Sequence, residues 1–138
     1  MRNKLSLIFA VILLVGCSQG ESSVELIPVS GTVTYQGKPV RDGVIRLAPD
    51  KGVQAPVKTT NIINGEYSFT DRSAVAAGTY QVEITAFRGE EKAPLDVKPG
   101  ESSGREQFLP AEYNKKTTIE KLMVKSGGDE IKKDYSLK

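Results

Sequence analysis

The chain has 138 residues, with 19 basic and 17 acidic side chains, a single cysteine, and neither histidine nor tryptophan. The missing histidine excludes Ser-His-Asp and Cys-His catalysis and argues against a catalytic zinc site. The near balance of charge gives no reason to expect nucleic-acid binding. We therefore expect no metal, no cofactor and no enzymatic activity.

The first sixteen residues have the three zones of a cleaved, helical secretory signal. Arg2 and Lys4 give a positive start, residues 5–15 are almost entirely apolar, and Gly16 is small, as a cleavage site requires. The apolar run is about half of the roughly 20 residues that a helix needs to cross a bilayer. The pattern predicts a removed signal peptide over 1–16 and no permanent membrane-spanning helix.

A short tether and one folded domain follow the signal. Residues 17–26 are rich in Ser, Gly and Glu, which favours a flexible linker. Removal of the signal leaves 122 residues with 17 basic and 17 acidic side chains, so the mature chain is formally neutral. This length is enough for one domain, predicted over 27–138, with its own core.

Short segments of period-two alternation, separated by turn signals, recur along the domain. Asn64-Gly65 is the strongest hairpin signal, because a type I′ turn needs positive φ at both central residues. The predicted strands cover 29–35, 44–47, 57–63, 66–69, 79–87, 119–124 and 131–137. About seven short strands of this kind predict an all-β, antiparallel sandwich or barrel.

The alternation also predicts which side chains form the core. Tyr67 and Phe69 point the same way, into the core. In the clearest strand the inward residues are Tyr80, Val82, Ile84 and Ala86, whereas Phe87 falls on the outward side or at the strand end.

Residues 88–117 form a long segment rich in proline and glycine, which is unusual inside a compact domain. Residues 95–97 are a candidate short strand within it. We expect Phe108, Leu109 and Tyr113 to hold the end of this segment against the core.

Leu14-Val15-Gly16-Cys17 resembles the lipobox of bacterial lipoproteins. In that family a diacylglyceryl group is attached to the cysteine sulfur, cleavage occurs just before the cysteine, and the new amino terminus is usually acylated, here expected with palmitate. The cysteine has no partner for an internal disulfide. The resemblance implies a lipid on Cys17 and a membrane-anchored protein of the bacterial cell envelope, and Ser18 favours the outer membrane.

The domain resembles carboxypeptidase regulatory-like domains over roughly residues 28–138. The matching motifs lie at 29–34, 37–40, 43–45, 65–69, 77–82 and 109–114. The resemblance implies a transthyretin-like, seven-stranded Greek-key sandwich. A hydrolase branch of the wider group uses histidines and a C-terminal Tyr-Arg-Gly-Ser, and this chain has neither, so that activity is not carried over.

Three functions are compatible with these features. The leading hypothesis is an envelope-anchored lipoprotein whose sandwich is a non-catalytic interaction or structural module, with an envelope protein or polysaccharide as partner. The alternative is a carbohydrate-binding module. Its candidate ligand-binding residues are Tyr35, Phe87 and Tyr113, with Asp50 or Glu112 as polar partners.

The third hypothesis is a hydrolase that uses a pair of carboxylates, which must face each other across one cleft. The available acidic residues, among them Asp42, Asp50, Asp71 and Asp129, fall in turns, where carboxylates are usually solvated.

Overall fold

The computed structural model describes residues 24–89 and 104–138. The predicted signal peptide with Leu14, Val15 and Gly16, the proposed lipidation site Cys17, and the candidate strand at 95–97 all lie outside the described residues.

Nearly all of the regular secondary structure in the described chain consists of β-strands. In chain order these are β1 (Leu26–Ile27), β2 (Val29–Tyr35), β3 (Lys38–Pro39), β4 (Asp42–Pro49), β5 (Lys58–Ile63), β6 (Glu66–Phe69), β7 (Val75–Ala76), β8 (Gly78–Arg88), β9 (Glu106–Gln107), β10 (Leu122–Val124), β11 (Ile131–Lys132) and β12 (Tyr135–Leu137). Two single-turn 3₁₀ helices lie at Asp71–Ser73 and Ala111–Tyr113. Among these described elements, none is a helix with the length and apolar character needed to cross a bilayer.

The strands form an all-β sandwich, as the alternation predicts. The hydrogen-bonded order is β10-β8-β4-β5-β6-β2-β11. Only one residue pair, Ile63 with Glu66, joins β5 to β6, so the sheet divides there into two layers. Fully buried side chains from both layers, including Val33, Ile45 and Phe69, fill the space between them.

Four strands make a Greek key. Strands β4, β5 and β6 follow one another as antiparallel neighbours, and β8 returns to pair with β4 rather than with β6. The spatial order is therefore β8-β4-β5-β6. The last of the four strands along the chain, β8, lies beside the first, β4, which is the arrangement that defines the motif. The Asn64-Gly65 turn between β5 and β6 has φ values of 52° and 87°, which confirms the predicted hairpin.

The core assignment from the alternation is confirmed. Tyr80, Val82, Ile84 and Ala86 are all fully buried along β8, and Tyr67 and Phe69 are buried on β6. The seven predicted strands are all present, with the C-terminal one interrupted.

The carboxyl-terminal segment differs from the predicted antiparallel arrangement. β11 and β12 both pair with β2 in parallel. Between them the strand is interrupted, because the Lys133 carbonyl accepts the Tyr67 hydroxyl at 2.6 Å and Asp134 accepts the Thr32 backbone N–H at 2.7 Å. Gly31 makes this close approach possible, since a Cβ there would lie 1.9 Å from the Lys133 carbonyl oxygen.

The strand predicted over 119–124 is also shorter in the structure. β10 begins only at Leu122. The Ile119 backbone N–H donates to the Thr117 hydroxyl at 3.2 Å, so this stretch turns locally instead of pairing with β8.

Two buried tyrosines act as structural hydrogen-bonding groups, whereas the buried hydroxyl of a third, Tyr135, has no hydrogen-bond partner within the described residues. The Tyr80 hydroxyl donates to the Ala76 carbonyl at 2.9 Å, and the Tyr67 hydroxyl donates to Lys133. Burial raises the pKa of Tyr67 and of Tyr80 above the ordinary range, and it raises the pKa of Tyr135 to about 12. All three phenols are therefore neutral at physiological pH.

Candidate ligand-binding cavity

An open cavity of about 860 Å³ lies at one end of the sandwich. It is formed where β2 ends, β4 begins and β8 ends, so residues from distant parts of the chain meet there. Its lining residues are Tyr35, Gln36, Lys38, Pro39, Val40, Arg41, Asp42, Asn64, Phe87, Arg88, Gly89 and Phe108. The volume is within the range of ordinary small-molecule sites, which is about 300–1,000 Å³.

Two tight turns fix the rim. Gln36 and Gly37 reverse the chain between β2 and β3 with φ values of 51° and 76°. The β5–β6 turn docks beside them, because Asn64 N–H donates to the Arg41 carbonyl at 2.9 Å and Gly65 N–H donates to the Val40 carbonyl at 2.7 Å. The rim is thus held by backbone hydrogen bonds and not by mobile side chains.

Aromatic rings form one wall. The Tyr35 and Phe108 rings have centroids 5.9 Å apart at an interplanar angle of 57°. Tyr113 packs edge-on behind Tyr35 at 6.3 Å, and its hydroxyl donates to the Lys138 carbonyl at 2.8 Å. Tyr113 therefore supports the wall without lining the cavity.

Arginine side chains cover two of the aromatic rings. Arg105 binds the Asp42 carboxylate through two hydrogen bonds of 2.9 and 2.6 Å, and its guanidinium carbon lies 4.1 Å from the centroid of the Phe87 ring. Arg88 lies 5.9 Å from the centroid of the Phe108 ring. Because a cation already occupies the electron-rich face of each ring, a second cation in the cavity would gain little from them.

Arg88 is also paired with a carboxylate. Its Nε donates to Glu106 at 3.1 Å. This hydrogen bond lowers the pKa of Glu106 and raises that of Arg88. Both side chains are largely exposed, so the pair contributes little to stability.

Two further cations at the rim have no carboxylate partner among the described residues. Lys38 and Arg41 are both exposed. Together with an apolar floor and aromatic walls, they suit a ligand that carries a flat or apolar body and a negative group. Within 24–89 and 104–138 there is no cluster of three or more side chains suited to holding a metal ion.

The sequence candidates are distributed unevenly about this cavity. Tyr35 and Phe87 both line it, as the carbohydrate-binding hypothesis requires of two of its three aromatics. Asp50 does not: it lies at the opposite end of β4, about 26 Å away at 3.3 Å per residue, and its carboxylate binds Lys121 at 2.6 Å, which lowers the pKa of Asp50. Glu112 does not line the cavity either.

The same geometry weakens the carboxylate-pair hypothesis. Asp42 is engaged by Arg105, and Asp50 by Lys121 at the other end of the sandwich. These two carboxylates therefore do not face each other across one cleft.

Of the twelve lining residues, sequence reasoning identified only Tyr35 and Phe87 as candidate ligand-binding residues; those it missed include Arg41, Arg88 and Phe108. Arg41 sits in a turn and Arg88 ends a strand, and neither position carries a signal of its own. Phe108 precedes the buried Leu109. Phe108 is itself partly buried and packs against the core, as the sequence predicts, but no local signal indicates that its ring also lines the cavity.

A second, shallower groove of about 820 Å³ runs over the outer faces of β2 and β6. Its polar groups are largely paired within the protein. Thr32 donates from both its backbone N–H and its hydroxyl to Asp134, and the Ser30 hydroxyl donates to Glu130. It also lacks the paired aromatic surfaces of the end cavity, which is therefore the better ligand site.

No family model, no curated protein and no solved structure matches this chain. Function is therefore inferred from the residues of the anchor sequence and of the cavity.

Proposed function

We propose that the protein is an envelope-anchored lipoprotein whose β-sandwich is a non-catalytic binding module. The anchor is a lipid on Cys17, preceded by the lipobox residues Leu14, Val15 and Gly16. Two or three acyl chains on one residue hold a protein to a membrane far more firmly than a single chain, which binds reversibly. Ser18 favours the outer membrane as the site of anchorage.

The observation that carries the binding role is the end cavity. Tyr35 and Phe87 line it together, beside Arg41, which has no ion-pair partner among the described residues. Aromatic walls with a few convergent polar groups are the usual composition of a ligand site. The partner is an envelope protein or polysaccharide that places an apolar, anionic group in this cavity.

A carbohydrate ligand is the second candidate, because the faces of sugar rings pack well on aromatic side chains. The meeting of Tyr35 and Phe87 in one cavity favours it. The rim cations Lys38 and Arg41, which have no carboxylate partner among the described residues, favour an acidic sugar over a neutral one.

Site-specific photo-cross-linking in cells tests the binding role. A photoreactive residue in place of Gln36, at the cavity rim, is expected to give a discrete adduct. The matched control is Gln54, which is also exposed but lies in the loop before β5 at the other end of the sandwich. Adding Arg41→Gln should reduce the adduct at position 36 at least several-fold, since it removes one of the two rim cations that lack a carboxylate partner among the described residues.

Equal adducts at positions 36 and 54, or no adduct at either, would contradict a binding role for the cavity. A glycan array separates the two partner classes. Binding to acidic glycans that Arg41→Gln abolishes supports the carbohydrate ligand, and an array without signal removes it.

A further inference from the structure

Exposed apolar side chains are concentrated at the end of the sandwich opposite the cavity. Among the described residues, five large hydrophobic side chains are exposed. Four lie at the end where the chain enters the domain, namely Val24 (67%), Leu26 (46%), Val57 (45%) and Met123 (62%). Only Ile63 lies towards the cavity end. A one-sided distribution of this kind marks a contact surface more often than scattered single residues do.

The strand register establishes that these residues share one end. Leu26 pairs with Ala76, just before β8 begins, and Met123 pairs with Thr79 near the start of β8. Val57 immediately precedes β5, whose first residue pairs with Leu47 near the end of β4. The cavity lies at the other ends of β4 and β8.

The point where the predicted tether joins the domain lies at this same end and is held there by a hydrogen bond. The Glu25 carboxylate accepts the Gly127 backbone N–H, at 3.0 and 3.1 Å to its two oxygens. Val24 therefore leaves the domain at a defined place beside the turn after β10. From there the chain has only seven residue steps to Cys17, which span at most about 25 Å when fully extended.

The charge of this end neither attracts nor repels strongly. Asp50 is paired with Lys121. Further charges at this end are of both signs, namely the cations Lys51, Lys58 and Arg72 and the anions Glu25 and Asp71. Lys125 is exposed, and so are Asp129 and Glu130. Apolar contact is thus the main attraction that this surface offers.

We infer that this end of the sandwich rests on the lipid surface, with Val24, Leu26 and Met123 in contact with the boundary between headgroups and acyl chains. The inference rests on the proposed acylation of Cys17, which brings this end to the bilayer. It places the cavity on the membrane-distal side, about 35 Å away along the eleven residues of β8. The cavity is then open to partners in the surrounding compartment rather than to lipid.

The chain has no tryptophan, so a single introduced tryptophan reports its own depth. The acylated, full-length mature protein is reconstituted into vesicles of phosphatidylethanolamine and phosphatidylglycerol, with or without brominated acyl chains. Met123→Trp is expected to lose at least half of its fluorescence in the brominated vesicles. Gln36→Trp, at the cavity end, is the matched control and is expected to be unchanged.

Flotation of the vesicles distinguishes a failure of the lipid anchor from a failure of the proposed orientation. Protein that floats with the vesicles but is unquenched at position 123, or is quenched equally at positions 36 and 123, overturns the orientation and leaves the anchor intact. Acylated protein that does not float overturns the anchor and the orientation together. Both replaced side chains are exposed, and an unchanged circular dichroism spectrum verifies that the variants are folded.

Discussion

Replacing Ile84 by alanine is expected to lower the free energy of unfolding by about 2–5 kcal/mol. Ile84 is fully buried on β8 and pairs with Ile45, which is also fully buried. The substitution removes apolar burial and leaves a cavity between the two layers, because close-packed neighbours relax only in part. Urea denaturation, followed by far-ultraviolet circular dichroism, measures the change.

Thr85→Ala is the control on the opposite face of the same strand. Thr85 is only partly buried, and its hydroxyl makes a long hydrogen bond of 3.4 Å to the Val44 carbonyl. Its replacement should cost less than about 1 kcal/mol. Similar losses at positions 84 and 85 would mean that the assignment of inward and outward faces along β8 is incorrect.

Gly31→Ala should destabilise the domain by on the order of 3 kcal/mol. The added Cβ would lie 1.9 Å from the Lys133 carbonyl oxygen and 3.1 Å from the Tyr67 hydroxyl. The backbone of β2 must then separate from the C-terminal segment, which also breaks the hydrogen bond between Tyr67 and Lys133. Urea denaturation gives the stability, and limited proteolysis should reveal earlier cleavage near β11 and β12.

Gly128→Ala is the matched control for this substitution. Its φ is not positive, and the nearest atom to an added Cβ, the Lys125 carbonyl oxygen, is 3.8 Å away. We expect a change within about 0.5 kcal/mol. If Gly31→Ala proved as stable as Gly128→Ala, the parallel docking of the C-terminal segment on β2 would be incorrect.

The sequence predicts the strands well wherever a local rule determines the structure. The hairpin at Asn64-Gly65 follows from the positive φ of a two-residue turn. The faces of β8 follow from the alternation of Tyr80, Val82 and Ile84 with polar neighbours. Both features depend only on residues that are adjacent in the chain.

The parallel pairing of β11 and β12 could not be predicted in this way. Alternation determines which face of a strand is buried, but it does not determine which strand lies beside it or in which direction. The decisive contacts join residues about one hundred positions apart, such as Thr32 with Asp134. The reason for a glycine at position 31 becomes clear only when the Lys133 backbone is seen to pass close over it, where a side chain would clash.

The cavity likewise combines features that the local sequence predicts with features that depend on contacts between distant residues. Tyr35 and Phe87 were identified as exposed aromatics, but their meeting depends on the Greek-key order of β2, β4 and β8. Asp50 and Glu112 are the polar partners that the sequence suggests for these aromatics, and neither lines the cavity. The structure places Asp50 at the opposite end of β4, where it binds Lys121.

Acylation of Cys17 is the central claim, and both the anchor and the orientation of the domain depend on it. Metabolic labelling with a fatty acid, followed by mass spectrometry of the N-terminal peptide, measures it directly. The wild-type peptide is expected to begin at Cys17 and to carry acyl mass, whereas Cys17→Ser should carry none and retain residues 1–16. An unmodified wild-type peptide that begins at Cys17 or Ser18 would contradict the account.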